Sequence, residues 1–171
     1  MVEFKHKKVF LSLGSNLGDK NDNIINAMRL IQKNVGEITA KSSFYTSQAV
    51  GFESKSDFVN NAICISTQMS ITELLEALQN IERKLGRERK TANEEYTDRV
   101  IDIDIIYFEN ESKEDLDLCI PHPRRLDRLF VLIPLVEISP DFVDPVINES
   151  LKSILDKRKS NLSNQAIYKL D

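Results

Sequence analysis

The chain has 171 residues, 41% of them hydrophobic and 29% charged, with a formal net charge of −4. Length and composition exclude a disordered chain and fit a single domain over residues 1–171 with a core of its own. No apolar run is long enough for a bilayer span or a secretory leader, and the acidic balance speaks against a general nucleic-acid binder while permitting a small anionic ligand.

In chain order, residues 9–13 read as a short strand that stops at Gly14-Ser15-Asn16-Leu17-Gly18-Asp19. This turn is either a plain strand-to-helix connection or a ligand-lining one, since it has neither the glycine count nor the lysine of a phosphate loop. Ile24, Met28, Ile31 and Val35 then recur at helical spacing, and Gly36 supplies the stop. Two β-rich segments follow, 38–47 and 57–67, separated by the polar loop 48–56.

Ser70 and Glu73 form a capping box, and Ile71, Leu74, Leu75, Leu78, Ile81 and Leu85 make one apolar stripe before Gly86. Glu82 falls inside that stripe. Such a break marks either a functional carboxylate or one that sits at the stripe's end and pairs with an arginine. Residues 83–90 then carry five basic side chains and one acid, either as a solvated surface or as the cationic wall of an anion site.

Residues 98–108 read as a strand, being rich in β-branched and aromatic side chains. Period two places Asp102 and Asp104 on one face, their carboxylates roughly 6–7 Å apart. They are either ordinary residues of a solvated edge or ligands for two hard cations that carry phosphate oxygens. The basic run just before them is the counter-charge that transfer of a polyphosphate group needs.

Residues 109–118 form an acidic hairpin or excursion. Ile120-Pro121-His122-Pro123 follows, with Arg124, Arg125 and Arg128 close behind. A single histidine on this stiff segment makes a poor metal site; it is a phosphate contact or a surface residue without a role. An apolar helix is expected over 129–138 with Pro134 kinking it or marking its first turn. A turn at 141–145, a short helix over 149–158 and a terminal strand over 166–170 complete the chain. Cys64 and Cys119 are expected to be free thiols in a reducing cytoplasm. The order βαββαβ predicts an α+β, ferredoxin-like core with a mainly antiparallel sheet, extra C-terminal helices and α/β/α layering.

Several motifs carry a resemblance. They are the Leu-Gly-Ser-Asn-Leu-Gly start, Ser43-Phe44-Tyr45-Thr46, Asp57-Phe58-Val59-Asn60-Asn61-Ala62, Ile81-Glu82, Gly86-Arg87-Glu88-Arg89, residues 99–105 and Pro121-His122-Pro123. From about residue 9 to about 155 the chain resembles the 6-hydroxymethyl-7,8-dihydropterin pyrophosphokinases of folate synthesis, which transfer pyrophosphate from ATP to the pterin and release AMP. The resemblance implies that Asp102 and Asp104 hold two Mg²⁺ ions, with Arg87 and Arg99 as catalytic cations. Glu82, Arg89, Ile105, His122 and Arg128 would contact ATP. Ser47, Val50, Phe58, Asn60 and Phe130 would bind the pterin, with the two phenylalanines stacking on its ring. The expected partners are ATP and 6-hydroxymethyl-7,8-dihydropterin, with no nucleic acid and no membrane. The expected state is a cytoplasmic monomer or at most a weak homodimer. Gln48-Ala49 and Asp98 stand where prolines are common in that family. The competing readings are a non-catalytic ferredoxin-like nucleotide-binding module and a two-metal nuclease, the latter disfavoured by the absence of an extended basic stripe.

Overall fold

A computed structural model of the chain describes residues 5–51, 53–86, 98–109, 111–115 and 117–171. Strand β1 (Lys7–Ser15) is flanked by β4 (Phe58–Thr67) and β5 (Asp102–Phe108). Helix α1 (Lys20–Asn34) carries the chain from β1 past one vacant position to β2 (Glu37–Lys41) and β3 (Tyr45–Ser47), and β4 returns to fill the gap. Helix α2 (Ile71–Lys84) then leads to β5 on the far side of β1. Every pairing in this sheet is antiparallel, as the split βαβ reading predicts.

Both faces of the sheet are covered. Val9, Leu11 and Leu13 pack with α1 and α2 through Ile24, Ile31, Leu74 and Leu78. The alternate residues Phe10, Ala62, Cys64 and Ile106 pack with Leu132 and Leu135 of α3 (Leu129–Ile138) and with Leu151 and Ile154 of α4 (Leu151–Arg158). The result is the α/β/α layering expected, and two-sided burial explains why the central strands are apolar at nearly every position. Burying each such aliphatic side chain is worth about 1.5–3 kcal/mol. No helix among the described residues is long and apolar enough to cross a membrane.

Several boundaries differ from the sequence reading for identifiable reasons. The segment expected over 38–47 is two strands because Ser42 interrupts it. Its hydroxyl accepts the Ala62 N–H at 2.9 Å, while its own N–H reaches the Ala62 carbonyl at 2.8 Å. The strand expected over 98–108 begins only at Asp102, because Asn16 takes over from β1 and holds both backbone groups of Arg99. Helix α4 begins two residues later than expected, at Leu151, capped by the Ser150 hydroxyl on Ser153 N–H. The acidic excursion contains a small hairpin of β6 (Lys113–Glu114) and β7 (Cys119–Ile120). The terminal strand β8 (Ile167–Lys169) pairs with β3. The capping box on α2 is present, and Gly86, at φ 99°, follows its end in the left-handed conformation that glycine tolerates. Pro134 lies inside α3. Cys64 and Cys119 are free thiols.

A buried polar group sits beneath the α3–α4 layer. Asp144, fully buried, accepts from Arg125 Nε at 2.6 Å and Nη2 at 3.0 Å, from the Tyr107 hydroxyl at 2.7 Å, and from the N–H groups of Val146 and Ile147. Burial alone would raise its carboxyl pKa, but these five donors bring it down to about 2. Arg125 also donates through Nη1 to the His122 carbonyl at 3.1 Å, which ties this group to the Pro-His-Pro segment.

Candidate active site

The sheet face that carries α3 and α4 changes character along its length. On β1 the residues of that face run Phe10, Ser12, Gly14; on β4 they run Cys64, Ala62, Asn60, Phe58; on β5 Asp104 and Asp102 follow Ile106. β1 and β5 thus turn from apolar to polar or small in the same direction, and β4 turns polar at Asn60 before ending on the aromatic Phe58. The apolar end is sealed by the helices, and the other end is open. Register aligns Asp102 with Gly14 and Gly14 with Asn60, while Asp104 faces Ser12.

A hollow forms there. Ser12 and Gly14 make its floor; Phe58, Asn60, Asp102 and Asp104 rise from the flanking strands. Ser47, Gln48, Val50, Arg99, Arg128 and Phe130 complete its lining. A Cβ on Gly14 would lie 3.1 Å from Asn60 Oδ1 and 3.6 Å from the Phe58 ring, so only glycine leaves this floor flat. Asn60, buried, donates to the Ser47 hydroxyl at 2.9 Å, which fixes its amide. The Arg128 guanidinium lies 5.6 Å from the centre of the Phe130 ring.

Asp102 and Asp104 are half-buried and face this hollow together. Arg99 Nη1 donates to Asp102 Oδ2 at 2.7 Å, supplying part of the counter-charge that two neighbouring acids need. Glu82, only 4% exposed, accepts the N–H of Ile103 at 2.7 Å. Ile103 is the residue between the two aspartates, so the carboxylate that broke the apolar stripe of α2 braces the backbone of the acid pair.

The oxygen donors of Asp102 and Asp104 suit a hard divalent cation. Among the described residues no three His, Cys, Asp or Glu side chains gather into a metal cage. Mg²⁺ does not need one, since one or two carboxylates plus substrate phosphates suffice.

His122 stands near these groups, its backbone N–H bonded to the Ile106 carbonyl at 2.9 Å. Burial, then the positive charge of Arg128, lowers its pKa to about 4, against an opposing pull from Asp102. The ring is therefore neutral at neutral pH. Nδ1 accepts the Arg124 N–H at 3.1 Å, which leaves the proton on Nε2. Ile105, expected at the nucleotide, points its side chain to the opposite face, into the α1–α2 core, because it is one residue out of phase with Asp104. Arg87 and Arg89 lie outside the described residues.

Asn16 was not singled out by the sequence reading. It is buried, donates through Nδ2 to Asp98 Oδ1 at 2.7 Å, and accepts the Arg99 N–H at Oδ1 at 2.6 Å. Its backbone N–H reaches the Arg99 carbonyl at 3.0 Å, and the Ser54 hydroxyl also donates to Asp98, at 2.6 Å. One asparagine thus locks the segment that presents Arg99. The only signal in the sequence was the Gly-Ser-Asn turn itself.

Comparison with known proteins gives a consistent result. Residues 10–140 match the family model described as 7,8-dihydro-6-hydroxymethylpterin-pyrophosphokinase. A Bacillus subtilis 2-amino-4-hydroxy-6-hydroxymethyldihydropteridine pyrophosphokinase is 40% identical over 130 residues, 75% of this chain and 76% of that protein. A Porphyromonas gingivalis protein of the same name is 38% identical over 133 residues, 77% of this chain and 90% of that one. Among solved structures, wild-type Plasmodium falciparum HPPK-DHPS superposes with a TM-score of 0.74 at 15% identity, over 96% of this chain. The chain spans about half the length of that protein, 47%, and the likeness concerns the fold.

Proposed function

The chain belongs to the 7,8-dihydro-6-hydroxymethylpterin-pyrophosphokinase family, and from that premise we propose how its own residues carry the reaction. It is an ATP-dependent pyrophosphokinase of folate synthesis, moving a pyrophosphoryl group from ATP to the pterin hydroxymethyl group. The observation that carries the assignment of roles is the convergence in one hollow of the β5 acid pair with Phe58, Asn60 and Phe130.

In this reading Asp102 and Asp104 hold two Mg²⁺ ions. Bound there, the ions would neutralise phosphate charge and lower the pKa of the acceptor hydroxyl. Arg99, with Arg87, stabilises the negative charge on the group in transit and on the product pyrophosphate. Phe58 and Phe130 hold the pterin ring, and Asn60, oriented by Ser47, reads its hydrogen-bonding edge with help from Val50. Arg128 and Arg89 contact ATP phosphates. Neutral His122 meets them as an Nε2–H donor rather than as a cation. Ile105 reaches ATP only through its main chain, and Glu82 acts on the nucleotide side through the backbone it braces. The chain works in the cytoplasm as a monomer or at most a weak homodimer, with residues 1–171 as one pyrophosphokinase domain and without a nucleic-acid or membrane partner.

Incubation with Mg-ATP and 6-hydroxymethyl-7,8-dihydropterin is expected to give AMP in step with pterin diphosphate, by phosphate-resolving chromatography. ADP as the nucleotide product would overturn the reaction assigned. Asn16→Ala is expected to lower kcat by about tenfold to a hundredfold, since a displaced Arg99 is misaligned with the reacting phosphoryl group. A variant with wild-type kcat would remove Asn16 from the machinery.

A further inference from the structure

The family match ends at residue 140, yet the segment beyond it reaches the site. Helix α3 has no side-chain cap of its own: Arg128, in the N-cap position, makes no such bond. Gln165 supplies it from 36 residues away, its Oε1 accepting the Leu129 N–H at 2.9 Å, while its Nε2 donates to the Asp127 carbonyl at 2.8 Å. One amide thereby grips the backbone on both sides of Arg128, two residues ahead of Phe130. Two residues further on, β8 pairs with β3, setting Ile167 opposite Ser47, and the Leu170 N–H reaches the Phe44 carbonyl at 2.8 Å. The same short segment is therefore bonded to the strand that carries Ser47 and to the helix start that carries Phe130. Ser47 and Phe130 both line the hollow, and both also line a second one to which Gln165 and Ile167 contribute.

We propose that Gln165 is a positioning residue for substrate binding: it sets the start of α3 so that Phe130 and Arg128 face the bound pterin and ATP. The proposal rests on the roles given above to those two side chains. An uncapped first turn leaves the Leu129 N–H without its protein acceptor and lets the helix start fray, which blurs the orientation of both groups.

The test is direct binding, measured on the full chain by calorimetry with Mg-ATP, and with the pterin in the presence of a non-hydrolysable ATP analogue. Gln165→Ala is expected to weaken pterin binding roughly three- to tenfold, the equivalent of a lost cap. Gln165→Glu keeps an acceptor for Leu129 and is expected to restore binding to within about threefold of wild type. Thermal unfolding is followed in parallel. Wild-type affinities in Gln165→Ala, with or without a lowered unfolding midpoint, would overturn the proposal, as would Gln165→Glu binding as weakly as Gln165→Ala. A wild-type chain that binds both ligands but forms no AMP would sink the reaction assignment alone; one that binds neither would sink both.

Discussion

Asp102→Ala and Asp104→Ala are each expected to lower AMP formation by about a thousandfold, the rate equivalent of ~4 kcal/mol of transition-state stabilisation. The reason lies in the register. Both side chains rise from β5 toward one hollow, and the strand that holds them is braced at Ile103 by Glu82. Removing either leaves one carboxylate where the assigned role needs two. The variants should differ in one respect: Asp102→Ala also strips Arg99 of the partner 2.7 Å away, so it should respond less to added Mg²⁺ than Asp104→Ala. Because the two acids act as a unit, the double variant should be little worse than the weaker single one. Initial rates over a Mg²⁺ series decide the matter. Either alanine variant retaining about a tenth or more of the wild-type rate would end the two-carboxylate reading.

The features legible in the sequence were those set by local periodicity. Period two alone placed Asp102 beside Asp104, and the apolar stripe of α2 exposed Glu82 as an exception to its pattern. What periodicity cannot give is register between distant strands. Glu82 accepts a backbone N–H 21 residues away, and Asn16 one 83 residues away. Gly14 looks like any turn glycine until β4 is laid against it and Asn60 fills the space its side chain would need. Ser42 could not be read as a strand break either, since a serine interrupts pairing only where its hydroxyl meets the neighbouring ladder. Asp144 sat in what read as an ordinary polar turn. Its burial depends on pairing with Arg125, 19 residues away, which no local pattern announces.

That buried pair gives the largest expected change in stability. Asp144→Asn is expected to destabilise the fold by about 3–5 kcal/mol, because it leaves the Arg125 guanidinium buried without its counter-charge. The pH dependence follows from the lowered carboxyl pKa of about 2. A carboxylate held below its ordinary value favours the folded state fully above about pH 4. That contribution is lost as pH falls through about 2, because there the folded state also takes up the proton. The gap between wild type and Asp144→Asn in urea unfolding should therefore be constant from neutral pH to about 4 and narrow below it. Removing the guanidinium as well, Arg125→Met with Asp144→Asn, should recover most of the lost stability, since no charge is then stranded and an amide oxygen remains to accept from Tyr107 and from the Val146 and Ile147 N–H groups. It cannot restore the bond from Arg125 Nη1 to the His122 carbonyl, so ATP should still bind more weakly in this refolded double variant. Recovery of both properties together would mean that Arg125 holds only the fold; recovery of neither would mean that the cost of the single change is not the stranded guanidinium.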